Sequence, residues 1–478
     1  AVPAVPAGLA VRDGELAIDG DPAADPVLVL RAAVEAARLR VPLSRAGLER
    51  LADAQPEFGD PWPDGARELF VELLAAGDDA IDVVEALDFA GVWTRLLPEW
   101  APNRNRPQRS HYHRFTVDRH LLEAVATAAR YTRRVARPDL LLMGALLHDL
   151  GKGYPGDHTE VGMRLAADIG RRCGYDADDT STLVRLVQHH LLLTDTAHRR
   201  DLHDPLTIAQ VAEATGTVEF LELLATLTEA DCRATGPTAW TDWIADLVGT
   251  LVGFVADHLI GDANLPSRRR LLLTDAVEQM MSSADTQVVG AGNTVTVVAP
   301  DERGTLSRAA GALALRGLDV LQAEAYSSAG PPAMAVSVFR VVLPDTPVDW
   351  ERVANDVRRA VGGGLALEAR IVERARLYRR RGALAAATPP STVTFDTTAA
   401  TDATIVQVHT EDHIGVLYRL TRILTEMGLD IVSAKIQTMA NEVVDTFYVV
   451  GPDGPTLTAE HQREIELALR HGLSAGQE

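Results

Sequence analysis

The feature that most constrains this chain is an internal repeat. Asp301, Gly304, Leu306, Leu313, Gly317, Leu318, Asp319 and Ala323 recur as Asp412, Gly415, Leu417, Leu424, Gly428, Leu429, Asp430 and Ala434, always 111 positions later. A constant offset across spaced positions is the mark of a duplicated domain rather than of shared composition. Each copy reads as a strand (Thr294–Ala299; Thr404–Thr410), a glycine turn, a helix (Leu306–Arg316; Leu417–Met427), two strands and a second helix. That order suggests the split βαβ, ferredoxin-like module. After its second helix, near Ala459–Arg470, the second copy has little chain for a last strand, so its sheet is expected to be incomplete or completed by a partner. The stretch Arg379–Thr394, with its arginines, alanines and Pro389-Pro390, reads as the linker between copies.

The 478 residues leave room for about three domains in all. The formal charge is −21, from 46 basic and 67 acidic residues. Such an excess repels phosphate backbones and anionic lipid, so neither nucleic acid nor a membrane is expected as a partner. The arginine clusters 268–270 and 379–381 read as solvated faces. Two cysteines, Cys173 and Cys232, make no disulfide framework, which fits a reducing cytoplasm. The opening segment lacks the basic and apolar regions of a secretory signal, and the apolar run Leu140–Leu147 is far short of the ~20 residues that span a bilayer. A first residue that is not methionine suggests a piece of a longer protein.

Nine of the 14 histidines fall between His111 and His203, in a region of helical periodicity. Within it, LLLMGALLHDLGK (Leu140–Lys152) is apolar on every side for two turns, so a buried helix is expected, with His148 and Asp149 at its C-terminal end and Gly151 available to end it. An aspartate there needs a compensating charge, and a divalent cation would satisfy the carboxylate and use the imidazole beside it. His190 continues the stripe Leu183, Leu186, Val187; Asp231 continues Phe220, Leu224, Leu227; His120 sits early in a helix that starts near Thr116. One such histidine is more often a satisfied core residue than a ligand. Four helices each bringing a His or Asp to the end of an apolar stripe reverse that preference.

The ordered set His120, His148-Asp149, Lys152, His158, His189-His190 and Asp231 resembles the HD-domain superfamily of metal-dependent phosphohydrolases. The resemblance implies that His120, His148, Asp149 and Asp231 hold one divalent metal, magnesium or manganese first and iron as a further option. His158 and the pair His189-His190 match positions that help bind a second metal in dinuclear members, or that contact phosphate or water. Asp149, Lys152 and His158 would then be the catalytic residues, with Lys152 neutralising charge on the phosphoryl oxygens.

The strings PQRSHYHRFTVDRH, HDLGKGYPGDH, QHHLLLTDTAHRRDLHDP and EADCRATGPTAW, with the tandem repeat, resemble more narrowly the bifunctional PII uridylyltransferase/uridylyl-removing family. There, a nucleotidyltransferase domain modifies the nitrogen-regulatory PII protein, an HD domain removes the nucleotide and two ACT domains sense glutamine. No Gly-Ser followed by an Asp-x-Asp pair is found here; Asp19-Gly20-Asp21 stands alone. The chain therefore corresponds to the removing and sensing portion. The resemblance implies the organisation 1–104 helical lead-in, 105–265 HD domain, 290–375 first ACT domain, 376–400 linker and 401–478 second ACT domain, both of βαββαβ type. It implies Arg199 and Arg200 as substrate contacts, and Asp301, Gly304, Leu306 with Asp412, Gly415, Leu417 as effector turns. In those turns a glycine permits close approach, and the following helix N-terminus attracts a carboxylate. The activity implied is a cytoplasmic, glutamine-regulated removal of UMP or AMP from a PII tyrosine. Two rivals are a guanosine tetraphosphate hydrolase of the same HD-plus-ACT build, and a non-catalytic amino-acid sensor.

Overall fold

The structure, a computed structural model, describes residues 5–108, 113–261, 272–328, 332–344, 346–379, 391–411, 414–439 and 442–474. The chain divides into two compact units.

The first unit comprises the residues up to Thr194 together with Val211–Gly261. Its lead-in departs from the all-helical expectation: it opens with a hairpin, β1 (Leu9–Arg12) and β2 (Glu15–Ile18), paired Leu9↔Ile18 to Arg12↔Glu15. The two-residue turn Asp13-Gly14 has φ of 52° and 82°, the left-handed pair that a type I′ turn needs and that Asp-Gly readily adopts. Helices α1 (Leu28–Leu39), α2 (Arg45–Ala54), α3 (Ala66–Ala75), α4 (Asp78–Phe89) and the short α5 (Trp93–Leu96) follow. Phe70 stacks on Trp93 and Trp93 meets Trp100 edge to face, an aromatic core behind the helices that carry the histidines.

The helices that follow in the chain are α6 (Val117–Ala129), α7 (Pro138–Leu147), α8 (His158–Arg172), α9 (Ala177–His189), α10 (Leu192–Arg199), α11 (Pro205–Thr215), α12 (Val218–Thr235) and α13 (Asp242–Leu259), of which Asp195–Arg199 and Pro205–Gln210 belong to the second unit. As its sequence demands, α7 is buried from Leu140 to Leu147. Polar side chains start its neighbours: Asp157 accepts from the Thr159 and Glu160 amides, Asp176 from Asp179, and Thr217 from Phe220. Two glycines let the helices close up. A Cβ on Gly144 would lie 2.8 Å from Leu186 Cδ1, and one on Gly162 would lie 2.9 Å from Val187 Cγ1.

The second unit comprises Asp195–Gln210 and the residues after Gly261. Its sheet has eight strands in the order β3-β4-β6-β5-β9-β10-β8-β7, each pair antiparallel. These are β3 (Gln287–Ala291), β4 (Thr294–Pro300), β5 (Asp319–Ser327), β6 (Met334–Val342), β7 (Thr392–Asp396), β8 (Thr404–Glu411), β9 (Asp430–Met439) and β10 (Glu442–Val450). Helices α14 (Asp275–Met281), α15 (Thr305–Leu315), α16 (Trp350–Val361), α17 (Leu367–Arg379), α18 (Val416–Glu426) and α19 (Ala459–Ser474) complete it. One core joins Ala309, Leu313, Val353 and Val357 of the first copy to Leu420, Leu424, Ile465 and Leu469 of the second.

The repeat is visible where the copies meet. In the central pair β5–β9, Ala323 lies opposite Ala434, its own equivalent at the 111-residue offset, so a local two-fold passes between them. The module corrects the expected βαββαβ order. No strand follows α16 or α19 among the described residues, and each outer edge is supplied by β3 or β7, from the segment before the first core strand. The second sheet is thus completed by its own chain. The 376–400 linker is also shorter than expected, since α17 extends to Arg379 and β7 begins at Thr392; residues 380–390 lie outside the described residues. Within the 105–265 span, Asp195–Gln210 joins the sheet unit: Asp204 accepts from the Thr401 amide at 3.0 Å and hydroxyl at 2.7 Å, and the Asp201 amide donates to the Tyr448 hydroxyl at 2.5 Å.

Candidate metal centre

Four side chains from separate elements converge in the helical unit. His120 comes from the first turns of α6, His148 ends α7, Asp149 follows it, and Asp231 comes from α12. His120 and His148 are fully buried, Asp149 is 3% exposed and the Asp231 side chain 13%. His120 Nε2 lies 3.1 Å from Asp231 Oδ1, 3.7 Å from Asp149 Oδ2 and 3.3 Å from His148 Nε2. His148 Nε2 lies 3.4 Å from Asp231 Oδ1 and 3.5 Å from Asp149 Oδ2.

The backbone aims these groups. His148 Nδ1 sits 2.9 Å from the Ala145 carbonyl, so it carries the ring proton and Nε2 turns to the cluster. His190 repeats the device, with Nδ1 2.7 Å from the Val187 carbonyl and Nε2 3.6 Å from Asp149 Oδ1. His158, first residue of α8, places Nε2 at 3.9 Å from the same oxygen. Gly151 makes that approach possible: a Cβ there would collide with the His158 carbonyl and lie 2.7 Å from the Gly162 amide nitrogen. Lys152 Nζ bonds Asp149 Oδ2 at 2.5 Å and Gln108 Oε1 at 3.0 Å.

Electrostatics couple the cluster. Burial opposes the charge on His148, but Asp231 and Asp149 outweigh it and raise its pKa to about 10. Burial likewise opposes charge on Asp149 and Asp231, yet His148, with Lys152 and His190 for Asp149 and His120 for Asp231, holds both carboxylates well below their usual range. His190 is pushed down by burial. Protein groups alone leave Asp149 Oδ1 and His120 Nδ1 buried without a hydrogen-bond partner. Convergent imidazole nitrogens and carboxylate oxygens, with the buried Asp149 Oδ1 left unpartnered, fit a divalent cation. Among the described residues, the groups close enough to share one are His120–His148–Asp231, Asp149–His158–His190 and His113–His120–Asp149, each with its ligand atoms within 4.8 Å of one another.

The sequence reading missed His113 and Gln108. His113 lies in the loop before α6, its ring 5.3 Å from that of His120, and burial, then Lys152 and His120, lower its pKa to about 4. Nothing periodic marks that loop, although His113 stands in the string PQRSHYHRFTVDRH. His189 is not brought into any of the three groups; it is half-buried, with Arg185 the charge nearest in effect. Arg199 and Arg200 pair with Asp195 and Asp396, at 3.8 and 3.7 Å, in the sheet unit. The effector turn at Asp301, Gly304 and Leu306 lines a pocket. In the second turn Gly415 and Leu417 are described, whereas Asp412 lies outside the described residues.

Comparison with known proteins agrees with this geometry. The HD domain family matches residues 117–226, from α6 into α12. A bifunctional uridylyltransferase/uridylyl-removing enzyme of Streptomyces coelicolor is 38% identical over 98% of this chain and 62% of its own length. The Mycobacterium tuberculosis enzyme of the same name is 39% identical over 94% of this chain and 58% of its own, and that of Azospirillum brasilense 28% identical over 86% and 51%. The chain thus spans about three fifths of the length of its first two relatives. No described helix is long and apolar enough to cross a membrane.

Proposed function

Starting from an HD-type phosphohydrolase domain in a homologue of the bifunctional uridylyltransferase/uridylyl-removing enzymes, we propose that this chain hydrolytically removes a nucleotidyl group, UMP or AMP, from a tyrosine of a PII protein. The observation that carries the proposal is the buried convergence of His120, His148, Asp149 and Asp231. These four would hold a divalent metal, and His158 and His190 with Asp149 would serve a second position. A bound divalent cation lowers the pKa of water and polarises a phosphoryl oxygen.

The chain's own residues do the rest. Lys152, held at the mouth by Asp149 and Gln108, sets a positive charge against the phosphoryl oxygens. Where that second position is not filled, His158, half-buried at the start of α8, can accept a proton from the attacking water at Nε2. The bond from phosphorus to the tyrosine oxygen breaks as the bond from water oxygen forms. A phenol of pKa ~10 is a good leaving group and recovers its proton from solvent. His148 and His190, each fixed through Nδ1 by a carbonyl, keep the donor set rigid.

The duplicated sheet is read as a pair of ACT domains that sense glutamine in the cytoplasm. The backbone at Gly304 and Gly415 supports this reading, since both take φ above 80° and both begin a helix. Incubation with uridylylated and adenylylated PII, with and without glutamine, followed by mass spectrometry of intact PII, tests the proposal. Release of UMP or AMP is expected. Release of neither, with guanosine tetraphosphate cleaved in a parallel reaction, overturns it.

A further inference from the structure

The loop between Asp149 and α8 has little of its own to hold it. Leu150-Gly151-Lys152-Gly153 forms a single 3-10 turn with glycine at every second place, and a glycine brings no side chain to fix a turn. The segment before α6 supplies what is missing. Asn103, fully buried at the end of the 3-10 helix Pro98–Asn103, donates from Nδ2 to the Leu150 carbonyl at 2.9 Å. Arg106 Nη1 donates to the Gly153 carbonyl at 3.0 Å, and the Tyr154 hydroxyl donates back to the Glu99 carbonyl at 3.3 Å. Gln108 Oε1 accepts from Lys152 Nζ at 3.0 Å. Gly153 lets this strap lie against the loop, since a Cβ there would stand 2.8 Å from the atoms of the Asn103 amide.

The strap is braced by two of the helices that supply the cluster. Glu99 takes a two-pronged bond from Arg172, at 2.7 and 2.8 Å, at the far end of the helix that begins with His158. The Arg106 carbonyl accepts from the Val117 amide at 2.9 Å, at the start of the helix that carries His120. A shift of the strap would therefore move Lys152 relative to the histidines.

Two of its side chains are amides used toward the loop at one end and orphaned at the other. Asn103 Oδ1 and Gln108 Nε2 are buried with no hydrogen-bond partner among the described residues. A buried polar atom in that state costs stability that an apolar side chain of the same length would not. What the amides add is their bond to the loop, and for Gln108 that bond goes to the ammonium itself. Lys152 otherwise rests on Asp149 Oδ2, the oxygen that lies 3.7 Å from His120 Nε2 and 3.5 Å from His148 Nε2. An ammonium that leans on a metal-ligating carboxylate needs a second acceptor to stay at the mouth once that carboxylate is engaged.

We propose that Gln108, on a strap braced through Asn103, is a positioning residue for Lys152: its Oε1 holds the ammonium off Asp149 Oδ2 and toward the phosphoryl oxygens. The inference rests on the phosphohydrolase reading of the site. Steady-state kinetics of nucleotide release from modified PII, together with titration calorimetry of manganese, test it on the full chain. Gln108→Met keeps the length of the side chain and removes the acceptor. It should lower kcat about 10- to 100-fold with KM within about threefold, because the lysine acts on oxygens whose charge grows in the transition state. It should also weaken manganese binding about threefold, since Lys152 then rests on Asp149 alone. Asn103→Ala should lower kcat in the same sense. In a Lys152→Ala background, Gln108→Met should change kcat and manganese affinity by less than about twofold. A loss of the same size with and without Lys152, in either readout, or a change in KM alone, overturns the positioning role. Absence of nucleotide release by the unaltered chain overturns the phosphohydrolase reading, and the manganese titrations then still decide whether Gln108 acts through Lys152.

Discussion

Both units bury charge, and they do so in opposite ways. In the sheet unit Lys435 and Glu324, 2% and 8% exposed, sit at equivalent positions of the two repeats, and Lys435 Nζ donates to Glu324 Oε1 at 3.2 Å across the local two-fold. A cation and an anion meet directly, and Gln322 Nε2 donates to the same Glu324 oxygen at 2.8 Å. In the helical unit two carboxylates and three buried imidazoles converge on one place, with His148, whose pKa is raised to about 10, and Lys152 at the edge offsetting the carboxylates. The first arrangement is a join between duplicated domains; the second is a site for something else. Burial of charge is therefore not itself the sign of a site. Convergence of imidazole nitrogens and carboxylate oxygens from several helices on one point is.

Breaking each arrangement should give different signatures. Asp149→Asn keeps the volume and removes a ligand charge, and it should cut nucleotide release by more than about 1000-fold with metal lost and the fold kept, checked by mass spectrometry of PII and circular dichroism. Lys435→Met strands Glu324 in the sheet and should cost about 3–5 kcal/mol of unfolding free energy, read from denaturant melts. Adding Glu324→Met should recover most of that loss, which a metal site would not do. Lys152→Ala should slow nucleotide release about 100- to 1000-fold while metal content stays the same. His113→Ala should weaken metal affinity about 10- to 100-fold, by calorimetry, if the loop histidine supports His120.

The pH dependence of metal uptake sharpens the contrast. With its pKa raised to about 10, His148 holds a proton near neutral pH in the metal-free protein, and Nε2 becomes a ligand only when that proton leaves. Metal affinity should rise with pH through the neutral range and level off above about 10. Calorimetry in buffers of different ionisation enthalpy should find a proton released on uptake near neutral pH. In the metal-free state the sign is reversed: the stabilisation from protonated His148 is complete below its ordinary pKa of ~6.5 and is lost as pH rises through about 10.

How much of this was legible in the sequence depended on whether a regular period carried it. The 111-residue offset reappears as Ala323 opposite Ala434, because equivalent residues of a duplicated strand meet on a two-fold. His190 follows from the stripe Leu183, Leu186, Val187 on α9. His189, one step round the helix, shares its residue type and not its face, and only the resemblance had brought it in. His113 was missed because it stands in a loop, where no period tells inward from outward. The β1–β2 hairpin is signalled only by Asp13-Gly14 between two four-residue runs, too short to outweigh the long helical pattern that follows. The edge strands β3 and β7 and the cover that Ile371 places on Gly415 depend on pairings between distant segments, which no local pattern announces.

The central claim is that the His120–His148–Asp149–Asp231 cluster is a metal centre on which catalysis depends. Elemental analysis of the purified full chain and of Asp149→Asn, alongside nucleotide release from modified PII before and after chelation, tests it most directly. The account predicts one or two equivalents of divalent metal in the unaltered chain, none retained by the variant, and release that stops on chelation and returns with manganese. A chain that holds no divalent metal and releases nucleotide at the same rate in the presence of chelator would contradict it.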